Sequence, residues 1–101
     1  MIRHVVLFRW KSEATDEQKK LVHTELAKLP SLVPSLRAFV LGADAGINQG
    51  NADFAVTADF DDEAGYLAYR DDPTHREIIA TYITPLVAER TAVQLEYQSA
   101  A

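Results

Sequence analysis

The residues best suited to chemistry lie close together, in the stretch YLAYRDDPTH at positions 66–75. His75 could act as a general base or acid near neutral pH, and Tyr69 could orient or polarise a carbonyl group. Such a pair can remove a proton next to a carbonyl without a metal or a cofactor. However, six residues of unbroken helix turn through about 600°, which would leave the two rings on separate faces.

A helix break at Pro73 is expected to remove this separation. Proline has no N–H and disfavours helical backbone at the preceding Asp72, so a helix over 62–70 should stop there and a second should begin. In the second helix Asp72 is the predicted N-cap, and His75 falls in the first turn. The break should therefore direct both rings toward one cleft.

The protonation state of His75 stays open at the level of sequence. The partial positive charge at a helix start disfavours the imidazolium ion, whereas the neighbouring carboxylates of Asp71 and Asp72 favour it. The sign of the net shift from the ordinary histidine pKa of about 6.5 is therefore not fixed. The same residues are equally consistent with a capped helix start that carries a surface histidine and a packing tyrosine.

Composition excludes several classes of function. A length of 101 residues predicts a single domain over 1–101, and the absence of cysteine excludes disulfides and thiolate catalysis. A net charge of −5 provides no basic surface for nucleic acid or acidic lipid. The apolar N-terminal run is too short and too polar for a signal peptide or a membrane span. We therefore expect a cytoplasmic protein without nucleic-acid or membrane partners.

Neither a metal nor a cofactor is indicated. The three histidines, His4, His23 and His75, do not have the spacing of a metal-binding motif. The glycines at 42–50 match no nucleotide-binding pattern, and no serine stands in a nucleophile elbow.

Hydrophobic periodicity predicts the elements that position the candidate residues. The first elements are a strand over Ile2–Trp10 and a helix to about Leu29 that begins with a capping box of Thr15 and Gln18. Strands over 36–41 and 53–60 follow as a long hairpin, and then come the broken helix, with its apolar stripe reaching Val87, and a strand over 91–97. The order β-α-β-β-α-β predicts an α+β fold, with a four-stranded antiparallel sheet and both helices on one face.

The opposite face of this sheet would carry Val5, Leu7 and Ala55. An uncovered sheet face of this kind would expose a large apolar patch. We therefore predict a homodimer in which two sheets pack face to face and form a closed barrel.

A cleft between sheet and helices is the predicted ligand site, with an apolar lining and a few polar groups. The candidate lining residues are His4, Val6, Phe8, Val22, Leu26, Phe54, Val56, Tyr69, His75, Ile78, Ile79 and Tyr82. This composition is also that of an ordinary core, and periodicity does not separate the two.

Three segments together resemble the stress-responsive A/B barrel (Dabb) family of the dimeric α/β-barrel superfamily. They are IRHVVLFRWK at 2–11, the LxxLP turn at 26–30, and YRDDPTH at 69–75. The resemblance implies a ferredoxin-like protomer, a homodimer through the sheets and a pocket between sheet and helices.

A plant polyketide cyclase of this family uses a tyrosine and a histidine that correspond to Tyr69 and His75. The resemblance also places His4 and Lys11 at its pocket. Two positions depart from the family, because Asp72 replaces a histidine of the usual HPxH pattern and Phe54 replaces a pocket histidine. The substrate and reaction of that cyclase are therefore not transferred.

Two functions follow as hypotheses. The first is a stress-responsive A/B barrel protein of unassigned activity that binds a small apolar molecule in the cleft. The alternative is a cofactor-free enzyme using the Tyr69–His75 pair, either a polyketide cyclase of aldol type or an isomerase. A cofactor-free monooxygenase of the same superfamily, using Trp10 and Tyr82, is a related alternative. A dimer with a filled core and no pocket is the third possibility.

Overall fold

The computed structural model describes residues 1–99. The strands are β1 (Ile2–Trp10), β2 (Ala38–Ala43), β3 (Phe54–Phe60) and β4 (Val87–Glu96), and the helices are α1 (Asp16–Leu26), α2 (Leu29–Leu32), α3 (Glu63–Asp71) and α4 (Pro73–Ile78), followed by a π-helical turn over Ile79–Ile83. The strands form one antiparallel sheet in the order β2–β3–β1–β4. The predicted α+β fold and its βαββαβ order are confirmed.

The core lies between one face of this sheet and the helices. Along β1 the side chains of His4, Val6 and Phe8 are buried, whereas Leu7 between them is 38% exposed. This alternation follows from the two-residue period of a strand with a single covered face. The predicted assignment of the two faces of β1 is therefore confirmed.

The N-terminus of α1 is fixed by its own sequence. Thr15 accepts a hydrogen bond from the Gln18 backbone N–H, and the Gln18 side chain accepts one from the Thr15 N–H. This reciprocal pair is the predicted capping box. The helix ends at Leu26, earlier than expected, and Pro30 lies in the first turn of α2, where a missing N–H costs nothing.

The last strand begins earlier than the sequence pattern suggests. We expected a strand over 91–97 and placed Val87 on a helix, but β4 starts at Val87. Pro85 cannot continue a helix, and Thr84 N–H already bonds the Ile79 carbonyl at 2.9 Å, which closes the π-helical turn. Lys11 N–H then bonds the Leu86 carbonyl at 2.7 Å and joins the chain to the end of β1.

The loop between β2 and β3 is held by two charged side chains. The Asp44 carboxylate accepts hydrogen bonds from Gly46 N–H at 2.9 Å and from the Asn51 amide at 3.0 Å. Arg9 donates to the carbonyls of Gly50 and Asn51. Gly46 and Gly50 have φ of 76° and 84°, a conformation that favours glycine. The predicted long hairpin is confirmed.

The face of the sheet opposite the helices carries charges that are already paired. Arg3 makes a bidentate ion pair with Asp59 at 2.7 and 2.9 Å, and Tyr97 donates to the same carboxylate at 2.9 Å. The Arg3 guanidinium also lies 4.7 Å from the centre of the Tyr97 ring. Because each of these polar groups has a partner within the chain, a second layer could cover them at reduced desolvation cost.

Four apolar side chains of this face are open to solvent. Val40, Val93, Leu95 and Leu7 are exposed by 66%, 54%, 40% and 38%. Val93 pairs directly with Val5 across β1 and β4, so the apolar side chains adjoin one another. Within residues 1–99, no helix is long and apolar enough to cross a membrane.

Candidate functional site

The predicted helix break is present and orients His75. The helix α3 ends at Asp71, and Asp72 has extended backbone with φ −60° and ψ 127°. The Asp72 carboxylate accepts hydrogen bonds from the backbone N–H groups of Thr74 at 2.9 Å and His75 at 3.0 Å. Asp72 is therefore the N-cap of α4, and the break directs the first turn of that helix back toward α3.

Tyr69 and His75 lie against each other as a result. Their ring centroids are 4.0 Å apart with an interplanar angle of 31°. Tyr69 is only 3% exposed and also packs on Phe60, with centroids 5.2 Å apart. His4 from β1 approaches the Tyr69 ring edge-on at 6.1 Å. One tyrosine and two histidines from three elements thus meet beneath the helices.

These rings line a cavity of about 120 Å³ between sheet and helices. Its lining residues are His4, Val6, Phe8, Leu26, Val56, Tyr69, His75, Ile79, Ile83 and Arg90. An apolar protein cavity of about 150 Å³ can hold one benzene molecule, so this volume suits a compound of roughly one ring.

Several predicted lining residues lie elsewhere. Val22 is fully buried in the core and Ile78 is also a core residue, but neither borders the cavity. Phe54 and Lys11 line a separate surface groove beside the end of β1, and Tyr82 lines a shallow pocket between α1 and the π-helical turn. The apolar spacing of a helix or strand identifies its buried face, and it does not distinguish core packing from a cavity wall.

Other residues at the site were missed from the sequence. Arg90 lines the cavity, Gln94 bonds His4, and the Tyr66 ring lies 5.0 Å from the His4 ring. The register of β1 with β4 pairs Arg90 with Phe8 and Gln94 with His4, so strand alternation could have found both. The predicted start at 91 excluded Arg90 by one residue.

The π-helical turn supplies one wall of the cavity. Its first and last residues, Ile79 and Ile83, both border the cavity. A turn with bonds between residues five apart is wider than an α-helical turn and often occurs at functional sites. Here the turn adds two isoleucines to the lining that includes Tyr69 and His75.

His4 is held as a neutral imidazole. The Gln94 amide nitrogen lies 2.8 Å from His4 Nδ1, and because an amide N–H can only donate, Nδ1 accepts and the ring proton is on Nε2. Burial lowers the pKa of His4 to about 4, and the positive charge of Arg90 and the nearby His75 act in the same direction. His4 can therefore donate a hydrogen bond from Nε2 at neutral pH.

Burial also determines the ionisation of the other two rings. It lowers the pKa of His75, and this effect outweighs the opposing carbonyls of Arg70 and Tyr69 and the Asp72 carboxylate. The neighbouring carboxylate of Asp71 is paired with Arg70 at 2.9 Å. Burial raises the pKa of Tyr69, so it remains a protonated phenol. The question left open by the sequence is answered in favour of neutral His75, through burial rather than the helix dipole.

The imidazole of His75 has two further properties. Its Nδ1 atom is buried and makes no hydrogen bond of acceptable geometry within residues 1–99, although the backbone carbonyls of Arg70 and Tyr69 lie near the ring. The side chains of His75 and Ile79 also line a surface groove of about 280 Å³ that is bordered by Arg70 and Arg76. They therefore form the wall between the interior cavity and solvent.

Across residues 1–99, no three histidine, aspartate or glutamate side chains are grouped as metal ligands.

Comparison with known proteins gives one family and one fold. The model of the stress-responsive A/B barrel domain family matches residues 2–97, and no curated protein matches the chain. A dimeric ferredoxin-like protein of unknown function from Thermobifida fusca is 48% identical, with 95% of this chain and 90% of that chain covered and a TM-score of 0.88.

Two more distant structures share only the fold. A hydroxynitrile lyase from Passiflora edulis is 20% identical, with 93% of this chain and 90% of that chain covered and a TM-score of 0.81. An antibiotic biosynthesis monooxygenase is 17% identical, with 98% of this chain and 100% of that chain covered and a TM-score of 0.76.

Because His4 is buried in its neutral form, stability should fall in mild acid. The unfolded state takes up a proton at a pKa of about 6.5, whereas folded His4 does so only at about 4. The contribution of His4 to the free energy of unfolding should therefore be fully present above pH 6.5 and should decrease progressively between pH 6.5 and 4. Urea unfolding at pH 7 and pH 5, at one protein concentration, measures this decrease.

The variant His4→Leu should lose less stability between the two pH values than the parent protein. The same substitution at the exposed His23 is the control, since that ring stays in contact with water after folding. An equal decrease in His4→Leu and the parent would show that His4 is not the source.

Proposed function

The chain belongs to the stress-responsive A/B barrel family, and we propose that it binds a small, mostly apolar molecule carrying one polar group in the cavity between sheet and helices. The apolar walls come from both layers, Val6 and Val56 from the sheet and Leu26 and Ile83 from the helical side. A cytoplasmic location remains a prediction from the sequence.

The unpartnered Nδ1 of His75 is the observation that carries this proposal. Nearly all buried polar atoms in proteins have a hydrogen-bond partner, and leaving one without a partner costs about 1–3 kcal/mol. A ligand with one hydroxyl or carbonyl group next to His75 would supply the missing partner. The guanidinium of Arg90 and the phenol of Tyr69 border the same cavity and can donate to an oxygen of that ligand.

The size of the cavity restricts the ligand. A volume of about 120 Å³ is below the ~300 Å³ at which pockets for drug-sized molecules begin. The ligand is then either a compound of about one ring or the end of a longer molecule. His75 and Ile79 lie between the cavity and the surface groove, so movement of these side chains would open one path for the ligand.

Filling the cavity should abolish binding of a suitable probe. Phenol has one ring and one hydroxyl, and calorimetry measures its affinity directly. We expect phenol to bind more tightly than benzene, because only phenol can bond His75. In the Ile79→Phe variant the added ring occupies the cavity, and affinity for both compounds should decrease at least tenfold.

The matched control is Ile47→Phe, which adds the same ring at a loop position that is 82% exposed. This variant should bind phenol like the parent protein. Equal phenol affinity in the parent and in Ile79→Phe would place binding outside the cavity and contradict the proposal.

Acid–base catalysis is a second candidate, favoured by the contact between Tyr69 and His75. A neutral imidazole can accept a proton from the carbon next to a carbonyl, while a protonated phenol stabilises the enolate oxygen. A hydroxynitrile lyase and a monooxygenase share the fold, so the fold accommodates catalysts. The aromatic rings expected for a monooxygenase, Trp10 and Tyr82, lie outside the cavity, so we propose acid–base chemistry over oxygenation.

Deuterium exchange into cyclohexanone tests this second candidate. His75 would take an α-proton, leave an enolate and return a deuteron from D₂O, and NMR follows the loss of the α-proton signal. We expect the protein to accelerate exchange, and His75→Ala to lower this acceleration by about 10²–10⁴-fold. Tyr69→Phe should also slow exchange while keeping the ring packing.

Exchange at the buffer rate with the parent protein, or full exchange activity in His75→Ala, would rule out this chemistry. In that event the binding proposal would still stand on the phenol measurements, which do not depend on turnover.

We further propose that the chain forms a homodimer through the open sheet face. The relative from Thermobifida fusca and a second one from Jannaschia are described as dimeric. The exposed apolar side chains of β1, β2 and β4 in this chain need a covering layer of the same apolar character.

A charge among the exposed apolar side chains of this face should separate the subunits. We expect sedimentation of the parent protein to give twice the mass of the chain, and Val93→Glu to give a monomer, because each subunit would have to bury an unpaired carboxylate in the interface. Ile47→Glu adds the same charge away from the sheet and should remain dimeric. A monomeric parent protein at micromolar concentration would contradict the proposal.

A further inference from the structure

A second concave site lies beside the end of β1, away from the cavity described above. It is a groove of about 780 Å³ between α1 and the loop that joins β2 to β3. This volume is within the roughly 300–1,000 Å³ of small-molecule sites. Its residues come from four separate segments of the chain, so no single sequence motif connects them.

The groove is lined by three lysines in an acidic protein. Lys11, Lys19 and Lys20 line it, and these are three of the four lysines in a chain whose net charge is −5. None of the three makes an ion pair with a carboxylate of residues 1–99, whereas the fourth, Lys28, is paired with Glu25 at 2.9 Å. Three ammonium groups are thus available to an external anion.

The two carboxylates at the groove have partners of their own. Asp44 accepts hydrogen bonds from Gly46 and Asn51 through its two oxygens. Asp53 accepts one from the backbone N–H of Trp10 at 2.9 Å. These bonds hold the loop but leave both carboxylates charged, so three lysines and two acidic side chains give the groove a net charge of +1.

Aromatic rings form the floor of the groove. The rings of Trp10 and Phe54 have centroids 5.7 Å apart with an interplanar angle of 56°, and His23 meets Phe54 edge-on at 6.2 Å. Trp10 is half-buried and also stacks on Phe8, so its contact with the core fixes the position of the indole ring. A flat apolar body can pack on such rings with the aromatic geometry that proteins favour.

We propose that this groove binds a small aromatic carboxylate, with the carboxylate between the lysines and the ring against Trp10 and Phe54. The complementarity is both electrostatic and apolar, which neither a metal cation nor a neutral hydrocarbon would satisfy. Phe54 borders the groove but not the interior cavity, so binding here is independent of Tyr69 and His75.

The single tryptophan makes this site directly observable. The chain has one tryptophan, so its indole N–H gives one identifiable NMR signal at the groove. Phenylacetate at low ionic strength should shift this signal in a saturable manner. Phenylacetamide, with the same ring and no charge, should bind several-fold more weakly.

Removal of one lysine should weaken phenylacetate binding in proportion to one exposed charge. We expect Lys19→Gln and Lys20→Gln each to reduce the affinity about two- to fivefold. The control is Lys28→Gln, which makes the same change in net charge outside the groove and should leave the affinity unaltered. All of these side chains are at least partly exposed, so the variants should fold.

Equal shifts of the indole signal with phenylacetate and phenylacetamide would overturn the proposal, as would equal losses in Lys19→Gln and Lys28→Gln. Tyr69→Phe and Ile79→Phe should bind phenylacetate like the parent protein. A loss in those two variants would move the binding to the interior cavity and also contradict a separate site.

Discussion

The site depends on one carboxylate and the backbone it caps. One carboxylate oxygen of Asp72 accepts hydrogen bonds from the backbone N–H groups of Thr74 and His75 and so caps α4. Pro73 has already excluded Asp72 itself from helical geometry. An N-cap contributes about 1 kcal/mol, and a helix as short as α4 does not form by itself. The cap and the packing of Ile78 on the core must therefore act together to place the imidazole against Tyr69.

Burial then sets the chemical state of the side chains that meet there. His4, Tyr69 and His75 are all withdrawn from water on the covered side of the sheet, and in each the neutral form is favoured. The result is a cavity with an acceptor or donor at His75, a donor at Tyr69, and the fixed charge of Arg90 at its edge. These groups can form hydrogen bonds with a polar group of a ligand, and they can also take part in the transfer of one proton.

The two faces of the sheet separate two tasks. On the covered face the polar groups serve the cavity, whereas on the open face Arg3, Asp59 and Tyr97 satisfy one another and leave the apolar residues to meet a second layer. Membership of a family with dimeric relatives fits this division. The lysine groove lies apart from both, at the edge where β1 meets the loop of Asp44.

Much of the architecture could be predicted from the sequence because it rests on local patterns. The capping box at Thr15, the break at Pro73 and the alternation of β1 each follow from short-range chemistry, and each is confirmed. The family resemblance is confirmed as well. The predicted start of β4 at residue 91 was wrong, because the helix ends in a π-helical turn before Pro85 and the strand begins at Val87.

The composition of the cavity was harder to predict. The long-range pairing of β1 with β4 brings Arg90 to the cavity and Gln94 to His4. Val22 and Phe54 are buried without bordering the cavity. Periodicity reports which residues are buried, while a cavity depends on how their side chains fill the space between layers. The net pKa shift of His75 was undecided for the same reason, since burial is a property of the packed structure.

The most direct test of this account is the NMR titration of the His75 ring, with its signal assigned by its loss in His75→Gln. The account predicts that the pKa of His75 lies below the ordinary value of about 6.5, and that it moves toward that value in Asp72→Ala, where the ring is released from the cavity. A pKa at or above 6.5 in the folded parent protein would mean that the ring is hydrated or paired with a carboxylate, and would contradict a buried neutral imidazole beside Tyr69.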